Sequence, residues 1–406
     1  MKNLRNHFSH NFQKSKNIYF DNASTSFKLD AVINKEIEFL EKINTNTHNE
    51  ISNESFHMNE KIKELRNLVC KFINGNNANE VSFNSGTTYS LNQLAFGIKS
   101  ELTKDSEIVL TFAEHSSNLI PWFEVAKDSK AKIKYLETNK NGVIDLKKIK
   151  NIISKNTKVV SFANVSNTLG FEGDVKNIVK EIRNINKDVL IFVDGAQSVA
   201  HCQTNVSDWD IDAFCFSAHK IYGPFGLGVL WINNRVVDKI KPLTYGGGAV
   251  EIFDSENDYK ITDSPSKFEA GTPNLAAIYS FIEVFKWFET IDFNNLLNIE
   301  KELKKYLVSQ INQLKLDDID FFNLDSDQPI LIFRDKNINP QDFALFLKEK
   351  YNIVSRSGEN CAKLISQIIG TKKVNRISIS FLNTKEEIDK LIDGFKTKAE
   401  WYKYSL

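Results

Sequence analysis

Apolar residues in this chain fall into short continuous runs, separated by stretches in which they recur every three or four positions. The runs at 81–83, 108–112, 133–136, 159–163, 189–193 and 214–216 predict strands, and their continuity predicts burial on both faces. Helical periodicity fills 31–43 and 59–73, the latter with Ile62, Leu65, Leu68, Val69 and Phe72 on one face. The polar, Asn-rich stretch 44–58 predicts a long loop. Strands spaced by helices predict an α/β fold with a mainly parallel sheet covered on both sides. After Trp231 the pattern loosens into loops at 245–248 and 269–274, followed by helices over 275–289 and 295–314. A smaller α+β module closes the chain: strand 329–333, helix 340–350, a strand near Val354, a loop over 356–361, strand 376–381 and helix 385–398.

In a parallel sheet, working residues gather beyond the carboxyl ends of the strands. His115, Asn167, Asp194, Gln197 and Lys220 each stand just past such an end. The run 214–216 stops abruptly at Ser217-Ala218-His219-Lys220, and Gly223, Pro224, Gly226 and Gly228 then turn the chain. Lys220 in that place is a candidate Schiff-base nucleophile, because burial lowers the pKa of an ammonium. The alternative is a surface lysine that happens to follow a strand. Residues 81–88 read as strand, then Gly86, Thr87 and Thr88 opening a helix. Free N–H groups and two hydroxyls at a helix N-terminus suit a phosphate, although an ordinary cap has the same residues. A Schiff-base lysine, a carboxylate at Asp194, a phosphate cup at Thr87 and Thr88 and a flat ring at His115 together fit pyridoxal phosphate. That cofactor needs a lysine for its aldehyde, a carboxylate to keep its pyridine nitrogen protonated and a cup for its phosphate.

Bulk properties narrow the field. A chain of 406 residues suits one larger and one smaller domain. Lysine plus arginine and aspartate plus glutamate are 52 each, so no basic field favours nucleic acid or an anionic membrane. No apolar run has spanning length. Cys70, Cys202, Cys215 and Cys361 lie far apart, without CxxC or metal-ligand spacing. The expectation is no metal, no disulfide framework and a reducing, cytoplasmic compartment. Cys70 and Cys215 read as packing residues. Residues 1–20 are basic and lack acidic side chains, and read as a leading arm or a targeting segment.

The stretches 19–26, 84–92, 114–122, 165–170, 194–197, 217–228, 269–274 and 356–362 resemble, in order, the successive motifs of the class V aminotransferase family. Within it they resemble cysteine desulfurases and selenocysteine lyases of the Suf type. The resemblance implies pyridoxal-phosphate fold type I. That means an N-terminal arm (1–20), a large domain (21–285) with a mainly parallel seven-stranded sheet, and a small α+β domain (286–406) that takes in part of the N-terminal segment. It also implies a homodimer with its site at the subunit interface, L-cysteine as substrate, and a sulfur-acceptor protein of iron–sulfur cluster assembly as partner.

By matching position, Lys220 would carry the cofactor, Asp194 would pair with the pyridine nitrogen, and His115 would stack on the ring. Gln197 would bond the ring hydroxyl, with Asn167 near that hydroxyl and the substrate carboxylate. Thr87, Thr88, Ser217 and His219 would hold the phosphate, joined by Thr272 of the other subunit. Arg376 would bind the substrate carboxylate, and Arg356, in the last motif, is the other substrate-binding candidate. Cys361 would take the sulfur as a persulfide, giving alanine.

The chain departs from the family pattern near the nucleophile. Glu359 and Asn360 precede Cys361 where histidine or another polar residue is usual, and a neighbouring carboxylate raises a thiol pKa. In His48-Asn49-Glu50-Ile51-Ser52 the second of two usual histidines is Ser52, and Lys267 replaces an arginine. Two other readings therefore stand beside the desulfurase. One is a different pyridoxal-phosphate lyase or aminotransferase on the same scaffold. The other is a weakly active platform for sulfur transfer.

Overall fold

The computed structural model describes residues 2–8, 15–47, 49, 51–256, 258–263 and 265–404. His48 and Glu50, and residues 1 and 9–14 of the expected arm, lie outside the described residues. The first strand, β1 (Ile18–Tyr19), stands apart from the main sheet. That sheet contains β2 (Val81–Asn84), β3 (Glu107–Leu110), β4 (Lys132–Tyr135), β5 (Thr157–Ala163), β6 (Leu190–Asp194), β7 (Ala213–Ser217) and β8 (Gly228–Ile232). It is seven-stranded, in the order β2-β8-β7-β6-β5-β3-β4. The strands from β4 to β7 run parallel, and β8 and β2 join antiparallel. Every residue of β3, β6, β7 and β8 is buried, which accounts for the apolar runs at 108–112, 189–193 and 214–216.

At the antiparallel edge Gly228 presses on Gly86, and a Cβ on Gly228 would stand 2.3 Å from the Gly86 Cα. Gly86 holds φ 147°, and helix Thr87–Gly97 starts at once beyond it. Two glycines therefore bring the helix N-terminus down onto the strand ends.

Three elements differ from the expected pattern. Helix Asn53–Phe72 begins inside the stretch 44–58 that polarity predicts as loop. The Ser52 hydroxyl caps it, accepting from the Ser55 N–H at 3.3 Å, and Ser55 and Met58 are buried. Its first turns bury a hydroxyl and a thioether rather than an aliphatic stripe, so they lack the periodic signal. Strands β9 (Val250–Ser255) and β10 (Asp258–Ile261) form an antiparallel hairpin between the two expected loops, in a stretch where the pattern predicts no element. Most of β10 is exposed, so it carries no inside–outside alternation.

The third difference lies in the C-terminal sheet. It contains β11 (Ile319–Phe321), β12 (Ile330–Asp335), β14 (Arg356–Gly358) and β15 (Val374–Ser378), in the order β11-β12-β15-β14, all antiparallel. β14 occupies part of the expected 356–361 loop. Between β12 and β14, β13 (Ile353–Val354) pairs in parallel with β1, and the Ser378 N–H donates to the Phe20 carbonyl at 2.7 Å. The N-terminal segment is thus stitched to elements more than three hundred residues away before it turns to the main sheet.

Candidate active site

A cavity of about 290 Å³ opens at the carboxyl ends of the parallel strands. Ala163, Asp194 and Ser217, the last residues of β5, β6 and β7, form one side, while Arg356, Asn360, Cys361 and Arg376 form the other. Every site residue expected from the sequence lines this cavity except Thr272. Thr272 is exposed and borders a separate depression beside Phe83, Asn84 and Tyr89.

Lys220 ends the short turn Ala218–Lys220 that follows β7. Burial lowers its ammonium to about 8, with Arg376 adding to the effect and Asp194 opposing it. Asp194 is 5% exposed, and its Oδ1 accepts from the Ala196 N–H at 2.9 Å. Burial pushes its carboxyl up, while that bond and the Lys220 charge pull it down.

His115 sits on a turn anchored by Glu114. The Thr111 hydroxyl and the Asn118 amide each donate to the Glu114 carboxyl at 2.6 Å, and burial brings that carboxyl up to about 7. The His115 Nδ1 accepts from the Ser117 N–H at 3.1 Å, so a neutral ring carries its proton on Nε2. Burial, Lys220 and Arg376 hold its imidazole down to about 4. A neutral, flat ring facing the cavity is what stacking on a cofactor requires.

The cup is built from hydroxyls. The Thr87 N–H and Oγ1 both lie 2.8 Å from the Ser217 Oγ, and Thr88 and Ser117 share a hydroxyl contact at 2.7 Å. These groups stand at the N-terminus of helix Thr87–Gly97, where backbone N–H groups lack helical partners. Asn167 donates through Nδ2 to the Asn360 carbonyl at 2.7 Å, yet its Oδ1 is buried without a partner among the described residues. Gln197 donates to the Ala23 carbonyl at 2.7 Å. A buried orphan acceptor, a half-desolvated lysine, a buried carboxylate and a helix-end cup of hydroxyls fit the hydroxyl, aldehyde, ring nitrogen and phosphate of pyridoxal phosphate.

Arg376 is 3% exposed. Its Nη2 donates to Asp21 at 2.8 Å and to Ser24 at 2.7 Å, and its Nη1 donates to the Asn167 carbonyl at 2.9 Å. Its Nε is buried and has no hydrogen-bond partner among the described residues. Arg356 lies opposite Arg376 in the β14–β15 register and is exposed. Two guanidiniums on adjacent strands suit a carboxylate.

Cys361 is exposed at the cavity's edge. Asn360 and Cys361 hold φ of 50° and 56°, two left-handed residues in succession. Asparagine tolerates that conformation and cysteine does not favour it. Ser116 secures the turn, with its N–H and its hydroxyl each donating to the Cys361 carbonyl at 2.8 Å. Glu359 does not face the thiol as a bare charge. It is ion-paired with Lys363, and the Lys363 bond, with Lys372 and Lys373 nearby, holds its carboxyl below the usual range. Ser116, Asp21, Ser24 and Glu114 carry much of this geometry, and the sequence reading assigned them no role. Asp21, Ser24, Glu114 and Ser116 do fall inside the motif stretches 19–26 and 114–122, which is the signal that could have found them.

The sequence matches the family model for class-V aminotransferases over residues 18–391. The chain belongs to the class-V aminotransferase family. Among curated class-V relatives, one from Ureaplasma parvum, named "Probable cysteine desulfurase", is 39% identical over 379 residues, 93% of each chain. Another of that name from Borreliella burgdorferi is 36% identical over 389 residues, 93% of this chain and 91% of its own. Among solved structures, the apo cysteine desulfurase of Thermococcus onnurineus NA1 superposes with a TM-score of 0.91 at 28% identity, over 98% of both chains. A cysteine desulfurase of Escherichia coli gives 0.89 at 25% identity, again over 98% of both.

Proposed function

We propose that this protein is a pyridoxal-phosphate-dependent cysteine desulfurase that moves sulfur from L-cysteine onto Cys361 and releases alanine. One observation carries the reading: an exposed thiol shares a single cavity with Lys220, Asp194 and Arg376. The desulfurase relatives support it.

The cofactor, when bound, supplies an electron sink beside the substrate Cα. Lys220, lowered to about 8, is neutral far more often near neutral pH than a free lysine and can both attack a carbonyl carbon and take the Cα proton. Asp194, buried and within the field of Lys220, would hold a proton on the pyridine nitrogen of the bound cofactor. Arg376, already oriented by Asp21 and Ser24, offers the substrate carboxylate the in-plane N–H groups of Nε and Nη1 that its present bonds leave unused. The Cys361 thiolate attacks the substrate sulfur. The S–S bond forms as the Cβ–S bond breaks, and the electron pair of that bond stays with the three-carbon fragment, which is protonated to alanine. Thr272, exposed in its own chain, reaches the phosphate of a second copy in a homodimer. A thiol-bearing acceptor protein of iron–sulfur assembly then takes the terminal sulfur. The four cysteines are free, as a reducing compartment such as the cytoplasm requires.

The test is incubation with L-cysteine, scored by alanine release and by intact mass. The expected result is a mass gain of one sulfur atom that a reductant removes. Cys361→Ala should lose the adduct and about two orders of magnitude or more in turnover, while still binding cofactor. Alanine formation by Cys361→Ala at the wild-type rate would sink the assignment and favour a different lyase.

A further inference from the structure

Among the described residues, the phosphate cup contains no charged side chain. Thr87, Thr88 and Ser217 contribute hydroxyls, and burial, Lys220 and Lys28 hold the His219 imidazole down to about 4, so it is neutral. Lys220 is committed to the aldehyde. A phosphate ester near neutral pH carries close to two charges, and an unbalanced anion in a partly dry site is costly.

Behind the cup lies Lys28, half-buried. Its Nζ donates to the Ser26 carbonyl at 2.6 Å, the His219 carbonyl at 2.9 Å and the Thr25 hydroxyl at 3.2 Å. The Phe225 ring covers it, with its centroid 4.5 Å from the Nζ. The same ring stacks on His219, with 5.4 Å between centroids and 16° between planes. The Thr25 hydroxyl is in turn 3.2 Å from the His219 Nδ1. One hydroxyl therefore joins the ammonium to an imidazole that lines the cavity. Among the described residues Lys28 has no ion pair, and burial alone lowers it to about 7. An ammonium held by neutral acceptors and an aromatic face, without a carboxylate, lacks a counter-ion.

We propose that Lys28 is the cation that balances the cofactor's phosphate, acting through Thr25 and His219 rather than by direct contact. The inference rests on the reading of the cavity as a pyridoxal-phosphate site. Lys28 is a positioning residue in this scheme. Its bonds to Thr25 and to the His219 carbonyl hold the imidazole against the cup, and the Thr25 hydroxyl, 3.1 Å from that carbonyl and 3.2 Å from Nδ1, bridges the two.

The experiment compares two ligands on the cofactor-free chain: pyridoxal 5′-phosphate, and pyridoxal, which lacks the phosphate. Binding is read from tryptophan fluorescence quenching. Lys28→Gln removes the charge but can still donate to the His219 carbonyl. Lys28→Met removes both, needs no polar partner, and carries the comparison if the glutamine variant does not fold. Either should weaken pyridoxal phosphate about tenfold or more and leave pyridoxal within about twofold, and Lys28→Arg should recover most of the loss. Equal losses for both ligands, or no loss, would overturn the role of Lys28 alone. A wild-type chain that binds pyridoxal phosphate no better than pyridoxal would overturn the cofactor reading, and this inference with it.

Discussion

The thiol of Cys361 is exposed, but its backbone is tightly held. Asn360 and Cys361 occupy a conformation that costs an L-residue about 1 kcal/mol or more, and Ser116 holds them there. Ser116→Ala keeps the N–H bond and loses the hydroxyl bond, worth about 1 kcal/mol net. Alanine release should slow about fivefold in kcat with KM for L-cysteine little changed. Ser116→Thr should restore the rate, and an unaffected kcat in the alanine variant would refute the clamp. Glu114 gives a pH signature. Its folded carboxyl, raised from 4.5 to about 7, keeps its proton longer than in the unfolded chain. The stability it lends is full below about 4.5 and is lost as pH rises through about 7. Wild-type stability relative to Glu114→Gln should therefore fall by up to about 3 kcal/mol across that window, and a flat difference in denaturant titrations would reject it. Lys220, Asp194 and His115 were legible in the sequence because each follows a buried apolar strand. Ser116 and Asp21 were not, because their partners, Cys361 and Arg376, are distant in sequence and only folding brings them within hydrogen-bond reach.

Helices and strands were readable where one face is uniformly apolar. Helix Leu275–Thr290 buries most of its length and shows in the pattern, as do the β6 and β7 runs. The start of helix Asn53–Phe72 does not, because it is set by a cap rather than by a stripe. Ser52→Ala should cost about 1 kcal/mol, read as a lower melting temperature of the cofactor-free chain. An unchanged melting temperature would mean that the packing around Met58, not Ser52, fixes the boundary. β14 was hidden for another reason. Arg356-Ser357-Gly358 is too polar and too short to read as a strand, and only its neighbour β15 makes it one.

The loop carrying Thr272 is fixed from behind. Glu269 accepts from the Phe83 N–H at 2.5 Å and is ion-paired with the buried Arg66. The loop is therefore presented outward, away from its own chain's cavity. In the proposed dimer, Thr272→Ala should weaken pyridoxal phosphate several-fold, by about 1 kcal/mol for a lost hydrogen bond, without dissociating the subunits. Sedimentation of a cofactor-loaded monomer would refute the arrangement. The pairing of β1 with β13 bears on how the protein is made. Asp21 and Ser24 leave the ribosome more than three hundred residues ahead of Arg376, which they orient. Asp194 and Lys220 can reach their sheet positions before Arg376 is made, but the substrate-carboxylate pocket cannot close until Arg376 has emerged. A chain stalled near residue 350 would have β1 synthesised but unpaired, with its site half built, and would depend on chaperones for as long as it waited.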